Sequence, residues 1–293
     1  GTNGMITTKP ERIILASDIS GLGKVAVTAA LPLFAVCQLE VSVLPTVLLS
    51  SHTGGFPKVY IDDYTVGMQA FLKQWQSLEI GISALVTGYL RSSQQIASLI
   101  DFLEHENIPL ILDPIMGDNG KLYKGFDDHY ISSMRTLCQK ADLILPNLTE
   151  ACFLADLPYQ DNDLTEQFLK DLAQRLSELG AKKVLLTGLP LSHDQIGVAY
   201  FDKVEGVFSL YKGKRFQQQF FGTGDMLTGL VAAAFVQGLD LQKCLPVFIN
   251  FIEKSLATTL DCHFDLRYGV YYQPHLGDLF IEFKRLLEVS NDK

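Results

Sequence analysis

Residues 221–227 read Phe-Gly-Thr-Gly-Asp-Met-Leu and stand directly before an apolar run rich in small residues, LTGLVAAAF. Glycines at 222 and 224 leave successive backbone N–H groups uncovered. The N-terminus of a following helix adds the positive end of its dipole. Gly222, Thr223 and Gly224 therefore describe an anion hole of the kind that holds a phosphate. Asp225 falls in the first turn of that helix and has two readings. It is an N-terminal cap, worth about 1 kcal/mol, or it is a base aimed at a substrate. As a base beside a helix N-terminus it is expected to stay ionised and to have low basicity.

Other polar residues collect where apolar runs end. RIILAS leads into SDISGLG, VSVLPTVLL into SSHTGGF, SALVTGY closes on TGY, IPLILDP opens into DPIMGDNG, ADLILPN into LPNLTE, and KKVLLTG closes on LTG. A buried strand needs none of these residues. Open parallel sheets bind ligands beyond the carboxyl ends of their strands, so the recurrence predicts one composite site. Asp113 and Asp118 bracket one such loop, and Asn147 with Glu150 opens another. Phosphoryl transfer uses magnesium, which takes carboxylates, waters and phosphate oxygens, and Asp118 and Glu150 are candidates to hold it. Asn147-x-x-Glu150 also spells an ordinary capping box, and His52 reads equally as a turn residue. The stretch GLGK at 21–24 is a poor phosphate loop: Val25 follows the lysine, and position 18 is aspartate where that motif needs glycine. It reads better as a turn that lets a ligand approach the backbone.

The elements that must position these residues follow from hydrophobic period. Continuous apolar runs at 12–17, 41–49, 83–89, 108–114, 141–147 and 182–188 predict strands buried on both faces. Amphipathic stretches at 22–40 (kinked at Pro32), 64–78, 92–106, 148–157 and 164–180 predict the intervening helices. Residues 195–212 predict two antiparallel strands with a turn near Asp202–Gly206. Three helices follow, from the glycine motif to Gly238, over 240–260 and over 278–289. This alternation predicts a three-layer α/β/α fold with a mostly parallel central sheet and antiparallel edge strands. No linker or repeat divides the chain, so residues 1–293 read as one domain, with 1–10 a disordered leader.

Bulk composition narrows the partners. Of the 293 residues, 47 % are hydrophobic and 19 % charged, enough apolar surface for a large core and too little charge for disorder. A net charge of −9 argues against nucleic acid. Five widely spaced cysteines form no zinc pattern and read as buried free thiols. No apolar run is long enough for a membrane span. A cytoplasmic location is expected.

Taken in order, the motifs resemble the ribokinase-like superfamily and, within it, the pyridoxal kinases. The resemblance runs from about Arg12 to Phe235 and rests on SHTGG, VTGY, LDPIMGD, LPNLTEA and GTGD. It implies an ATP-dependent kinase that phosphorylates the 5′-hydroxymethyl group of pyridoxal, and also of pyridoxine and pyridoxamine. Asp225 would be the base, with Gly222, Thr223 and Gly224 around the transferring phosphate. Ser17, Thr53 and Tyr89 would line the pyridoxal pocket. Asp113, Asn147, Glu150, Thr187 and Gly224 would face ATP, with Asp118 and Glu150 near Mg²⁺ and a monovalent cation such as K⁺ also possible. Residues 51–56 and 116–126 would be mobile covers, and the assembly a homodimer.

One stretch departs from that pattern. SDISGLGK is shorter than the first motif of the best-known pyridoxal kinases. It resembles the Asp-x-Ser-Gly turn of hydroxymethylpyrimidine (phosphate) kinases. Those relatives commonly carry cysteine where this chain has Asp225, and they lack SHTGG. Sugar kinases of the superfamily are disfavoured by the missing N-terminal sugar-binding set. A non-catalytic binder of pyridoxal or ATP stays open, although retention of Asp225 and its glycines argues against it.

Overall fold

The computed structural model describes residues 9–291; residues 1–8, most of the expected leader, lie outside it. In chain order the elements are β1 (Arg12–Leu22), α1 (Ala26–Val36), β2 (Glu40–Ser51), β3 (Ile61–Asp63), α2 (Thr65–Ser77), β4 (Ala84–Thr87), α3 (Ser93–His105), β5 (Leu110–Leu112), β6 (Gly117–Asp118), β7 (Lys121–Leu122), α4 (Asp128–Cys138), β8 (Leu143–Ile144), α5 (Leu148–Ala155), α6 (Glu166–Ser177), β9 (Lys183–Pro190), β10 (Gln195–Asp202), β11 (Val207–Lys214), α7 (Thr223–Val236), α8 (Leu241–Asp261) and α9 (Leu276–Asn291). Two short 3₁₀ turns, Leu266–Tyr268 and Gln273–His275, lie between α8 and α9.

Nine strands form one sheet in the order β11-β10-β9-β8-β5-β4-β1-β2-β3. The pairs among β2, β1, β4, β5, β8 and β9 are parallel; β3 at one edge and β10 with β11 at the other are antiparallel. Two apolar layers cover the two faces. Met68, Leu99, Met134 and Leu172, from α2, α3, α4 and α6, fill one; Phe34, Leu230, Phe248 and Phe283, from α1, α7, α8 and α9, fill the other. The expected three-layer α/β/α architecture is met. The chain runs outward in both directions from β1, through β2 on one side and β4 on the other, so the topological switch point lies between β1 and β4. A ligand crevice belongs there.

The small residues of α7 have a packing reason. At Gly229 an added Cβ would sit 3.8 Å from the Ala30 Cβ and the Phe34 ring, so α7 lies directly on α1. Differences from the expected elements concentrate near the crevice. β1 continues past Ser17 to Leu22, because β2 supplies partners as far as Ser51 and a register break between Ser17 and Ile19 absorbs Asp18. α1 starts at Ala26 and not at residue 22, since Gly23 (φ 91°) and Ala26 (φ 49°) turn the chain through left-handed conformations first. β3, α4 and the β6–β7 hairpin are additions. All five cysteines are free as expected, but Cys262 is exposed and only the other four are buried. Among the described residues no helix is long and apolar enough to cross a membrane.

Candidate active site

α7 opens on Gly222, whose φ of 92° no L side chain adopts comfortably, and an added Cβ there would meet the Lys24 carbonyl at 2.9 Å. Thr223, Gly224 and Asp225 form the first turn, where N–H groups have no intrahelical acceptor. Among the described residues these three N–H groups donate to nothing. An uncommitted anion hole therefore faces outward.

Asp225 does not cap its own helix. Its Oδ2 accepts the N–H of Ala26, 2.8 Å away in the first turn of α1. Asp225 is half-buried, and the expectation of low basicity fails: desolvation raises its pKa above the ordinary aspartate value, against smaller lowering effects from the Ala26 N–H and from His52. Desolvation outweighs both of those effects here.

Ser17, Thr87, Gly88, Asp113, Asp225 and Thr228 share a cavity at the β1–β4 switch point, with about 20 Å³ of room, enough for one water. The Thr87 hydroxyl is fully buried and has no hydrogen-bond partner among the described residues. Ser17 donates to Asp18 Oδ1 at 3.1 Å, and a side chain at Gly88 would collide with the Ser17 hydroxyl. Asp113 accepts from the Thr228 hydroxyl at 2.9 Å. Burial, then Glu150 and Asp225, hold the Asp113 carboxyl well above its usual range. Asp18 is pushed up to about 7 by burial and by Asp225.

The nucleotide-side candidates cluster one strand further on. Asn147 caps α5 by accepting the Glu150 N–H at 2.8 Å, and Glu150 Oε1 accepts the Asn147 N–H at 2.9 Å, so the capping box forms. Glu150 Oε2 also accepts the Met116 N–H at 2.9 Å, and burial leaves its pKa at about 7. Asn147 Nδ2 donates to the Gly117 carbonyl and Thr149 Oγ1 accepts the Gly120 N–H, both at 2.9 Å. Segment 117–122 is thus a hairpin pinned to α5, not a free cover. Asp118 sits exposed on it. Thr187 of β9 bridges to Asn147 and donates its N–H to the Pro146 carbonyl at 3.0 Å.

Thr53 lies exposed on the 51–56 flap, and Tyr89 stands half-buried after β4, 5.8 Å from the Phe126 ring. Neither lines the small cavity. Lys24, the lysine of GLGK, points away from the anion hole, 4.7 Å over the Tyr272 ring and 3.1 Å from Gln273 Oε1. Sequence reasoning passed over Asp18, Thr87 and Thr228. A charge inside a strand-like run was a usable signal for Asp18 and the strand end TGY was one for Thr87; Thr228 follows Asp225 by three residues on one helix, and only the fold brings it to Asp113.

None of Asp18, Asp113, Glu150 or Asp225 forms an ion pair among the described residues. No three metal-ligating side chains among those residues converge to enclose an ion. The unpaired carboxylates of Asp18, Asp113, Glu150 and Asp225 are oxygen donors, the class that magnesium takes together with waters and phosphate oxygens.

The family model described as Phosphomethylpyrimidine kinase matches residues 46–267. The chain belongs to this family of kinases. The family's ribokinase-like architecture recurs in solved structures. A candidate phosphomethylpyrimidine kinase from Bacteroides thetaiotaomicron superposes with a TM-score of 0.89 at 33 % identity, over 94 % of this chain and 96 % of that one. The same protein in a crystal form with pyridoxal gives 0.87 at 32 %, over 92 % and 96 %. Pyridoxal kinase from Lactobacillus plantarum gives 0.86 at 30 %, over 94 % and 98 %. By sequence, a candidate pyridoxal kinase of Schizosaccharomyces pombe is 26 % identical over 263 residues, 82 % of this chain and 78 % of the relative. Family kinases are thus similar to this chain under both substrate names.

Proposed function

We propose that this family member transfers the γ-phosphate of ATP to the 5′-hydroxymethyl group of pyridoxal and related B6 vitamers. The observation that carries the reading is the Asp225 carboxylate: turned away from its own helix, half-buried at the switch point, and set beside three N–H groups with no acceptor among the described residues. SHTGG and Asp225 favour pyridoxal over the pyrimidine.

The chain's own residues do mostly positional and electrostatic work, as loose phosphoryl-transfer transition states require. The N–H groups of Thr223, Gly224 and Asp225 receive the charge spread over the phosphoryl oxygens. Asp225 takes the proton of the attacking hydroxyl, and its raised basicity suits that step. Ser17, Thr53 and Tyr89 orient the ring. Asn147, Thr187 and Asp113 face the nucleotide. Asp118 and Glu150 would hold magnesium, which would supply positive charge against the phosphates.

Hydroxymethylpyrimidine is the second reading, favoured by the Asp-x-Ser-Gly first turn containing Asp18. Side-by-side kcat/KM values for the two acceptors with ATP and Mg²⁺ decide. Pyridoxal is expected to win by at least about tenfold, the size of one or two well-placed hydrogen bonds. A ratio below one reverses the assignment.

A further inference from the structure

The 3₁₀ turn Leu266–Tyr268 touches two of the loops that close on Asp225, and reaches the third through Lys24. Its Tyr268 carbonyl accepts the Lys24 N–H at 2.8 Å, and Gly269 bridges to Lys24. The Lys24 carbonyl in turn lies against Gly222, at the start of the anion hole. The same turn grips the 51–56 flap from outside. His52 Nδ1 accepts the Gly54 N–H at 3.0 Å, which places the ring proton on Nε2, where it is donated to the Arg267 carbonyl. The Arg267 guanidinium lies 5.1 Å from the Phe56 ring centre and 3.5 Å from the Gly55 carbonyl. Tyr268 meets Phe56 edge-on, with ring centres 5.5 Å apart. Asp265 holds the guanidinium from the other side at 2.8 Å.

Close packing and backbone conformation explain why the flap carries two glycines, Gly55 having a φ of 88°. A side chain at Gly54 would overlap the Phe221 ring, directly before the anion hole, and one at Gly55 would press on Arg267 Cγ and Cδ at 3.1 Å. Two adjacent glycines also make the free flap costly to order, so it needs partners to stay in place.

We propose that the Leu266–Tyr268 turn is a latch that holds the 51–56 flap over the site, with Arg267 a positioning residue that favours transfer to the substrate hydroxyl over transfer to water. The latch rests on the phosphoryl-transfer reading for its consequence and on the described contacts alone for its existence. Arg267 touches neither the cavity nor the anion hole, so it acts only through the flap.

Two measurements on Arg267→Ala test this. In the ligand-free protein, amide exchange of residues 52–56 is expected to rise by about tenfold or more, as when a local opening loses its closing contacts. With substrates present, the ratio of ATP hydrolysis to phosphoryl transfer is expected to rise by about fivefold, because an unlatched cover admits water. A merely structural residue would lower both rates together and leave that ratio alone. Arg267 is exposed, so circular dichroism should match the parent. Flap exchange within twofold of the parent overturns the latch. Faster exchange with an unchanged ratio overturns the catalytic part. If the parent phosphorylates no acceptor, the proposed function fails while the exchange measurement still decides the latch.

Discussion

Asp225 Oδ2 and the Ala26 N–H, 199 residues apart in sequence, meet at 2.8 Å. This one bond joins the first turn of α7 to the first turn of α1. Two helix N-termini therefore open on the same point, and their dipoles both favour negative charge there. The other carboxylate oxygen of Asp225 has no partner among the described residues and remains free to accept a proton.

Asp225→Asn separates brace from base. Asparagine keeps an oxygen for the Ala26 N–H but cannot take the hydroxyl proton. A kcat loss of about 10²–10⁴-fold is expected, the usual range for a general base, with ATP affinity and melting temperature little changed. Turnover within threefold of the parent would leave Asp225 as a helix brace only.

Stability of the ligand-free protein should fall as pH rises from about 4 to above 7. Asp18 and Glu150 both have folded pKa values near 7, raised above their ordinary carboxylate values chiefly by burial. Such groups bind more protons folded than unfolded. Their contribution is fully present below the unfolded pKa and is lost as pH rises through the folded one. A melting temperature lower by several degrees at pH 8 than at pH 5 is expected, on the order of a few kcal/mol for a chain of this size. Asp18→Asn should flatten the slope. Thermal melts across pH, with no nucleotide or Mg²⁺, make the check; a rising curve contradicts it.

Lys24→Ala should leave the KM for ATP within a few-fold, because the ammonium lies over Tyr272 and beside Gln273, away from the anion hole. The variant should instead lose about 1 kcal/mol of stability, the scale of a partly desolvated cation–π contact. Urea unfolding and ATP titration together tell the two outcomes apart.

Gly222→Ala is expected to do more harm than its size suggests. The left-handed backbone alone costs roughly 1–2 kcal/mol for a residue with a Cβ. The new methyl would also push on the Lys24 carbonyl and shift the N–H groups of the anion hole. Loss of kcat together with weaker ATP binding is the expected signature; wild-type kinetics would show that the hole is not where phosphate binds.

The mostly parallel sheet followed from alternating apolar runs and amphipathic stretches, and the positions of Asp113, Asn147, Glu150 and Asp225 were legible because each stands where an apolar run stops or a helix starts. The β6–β7 hairpin was legible too: Asn119–Gly120 is a strong hairpin turn signal, and both residues have positive φ. α4 likewise carries helical spacing at 130, 131, 134, 137 and 138, so nothing physical concealed it. Other features were hidden by distance. β1 outlasts its apolar run only because β2 pairs with it. The basicity of Asp225 depends on burial by residues far along the chain. His52 and Arg267 lie 215 residues apart, and no local pattern in either announces the other.

The latch also fixes an order in time. During synthesis, the parallel strands, the carboxylates, the flap and the GTGD motif all leave the ribosome before Leu266–Tyr268. Segments emerging first collapse on one another before later ones exist. The flap therefore gains its latch only after every group beneath it has been made.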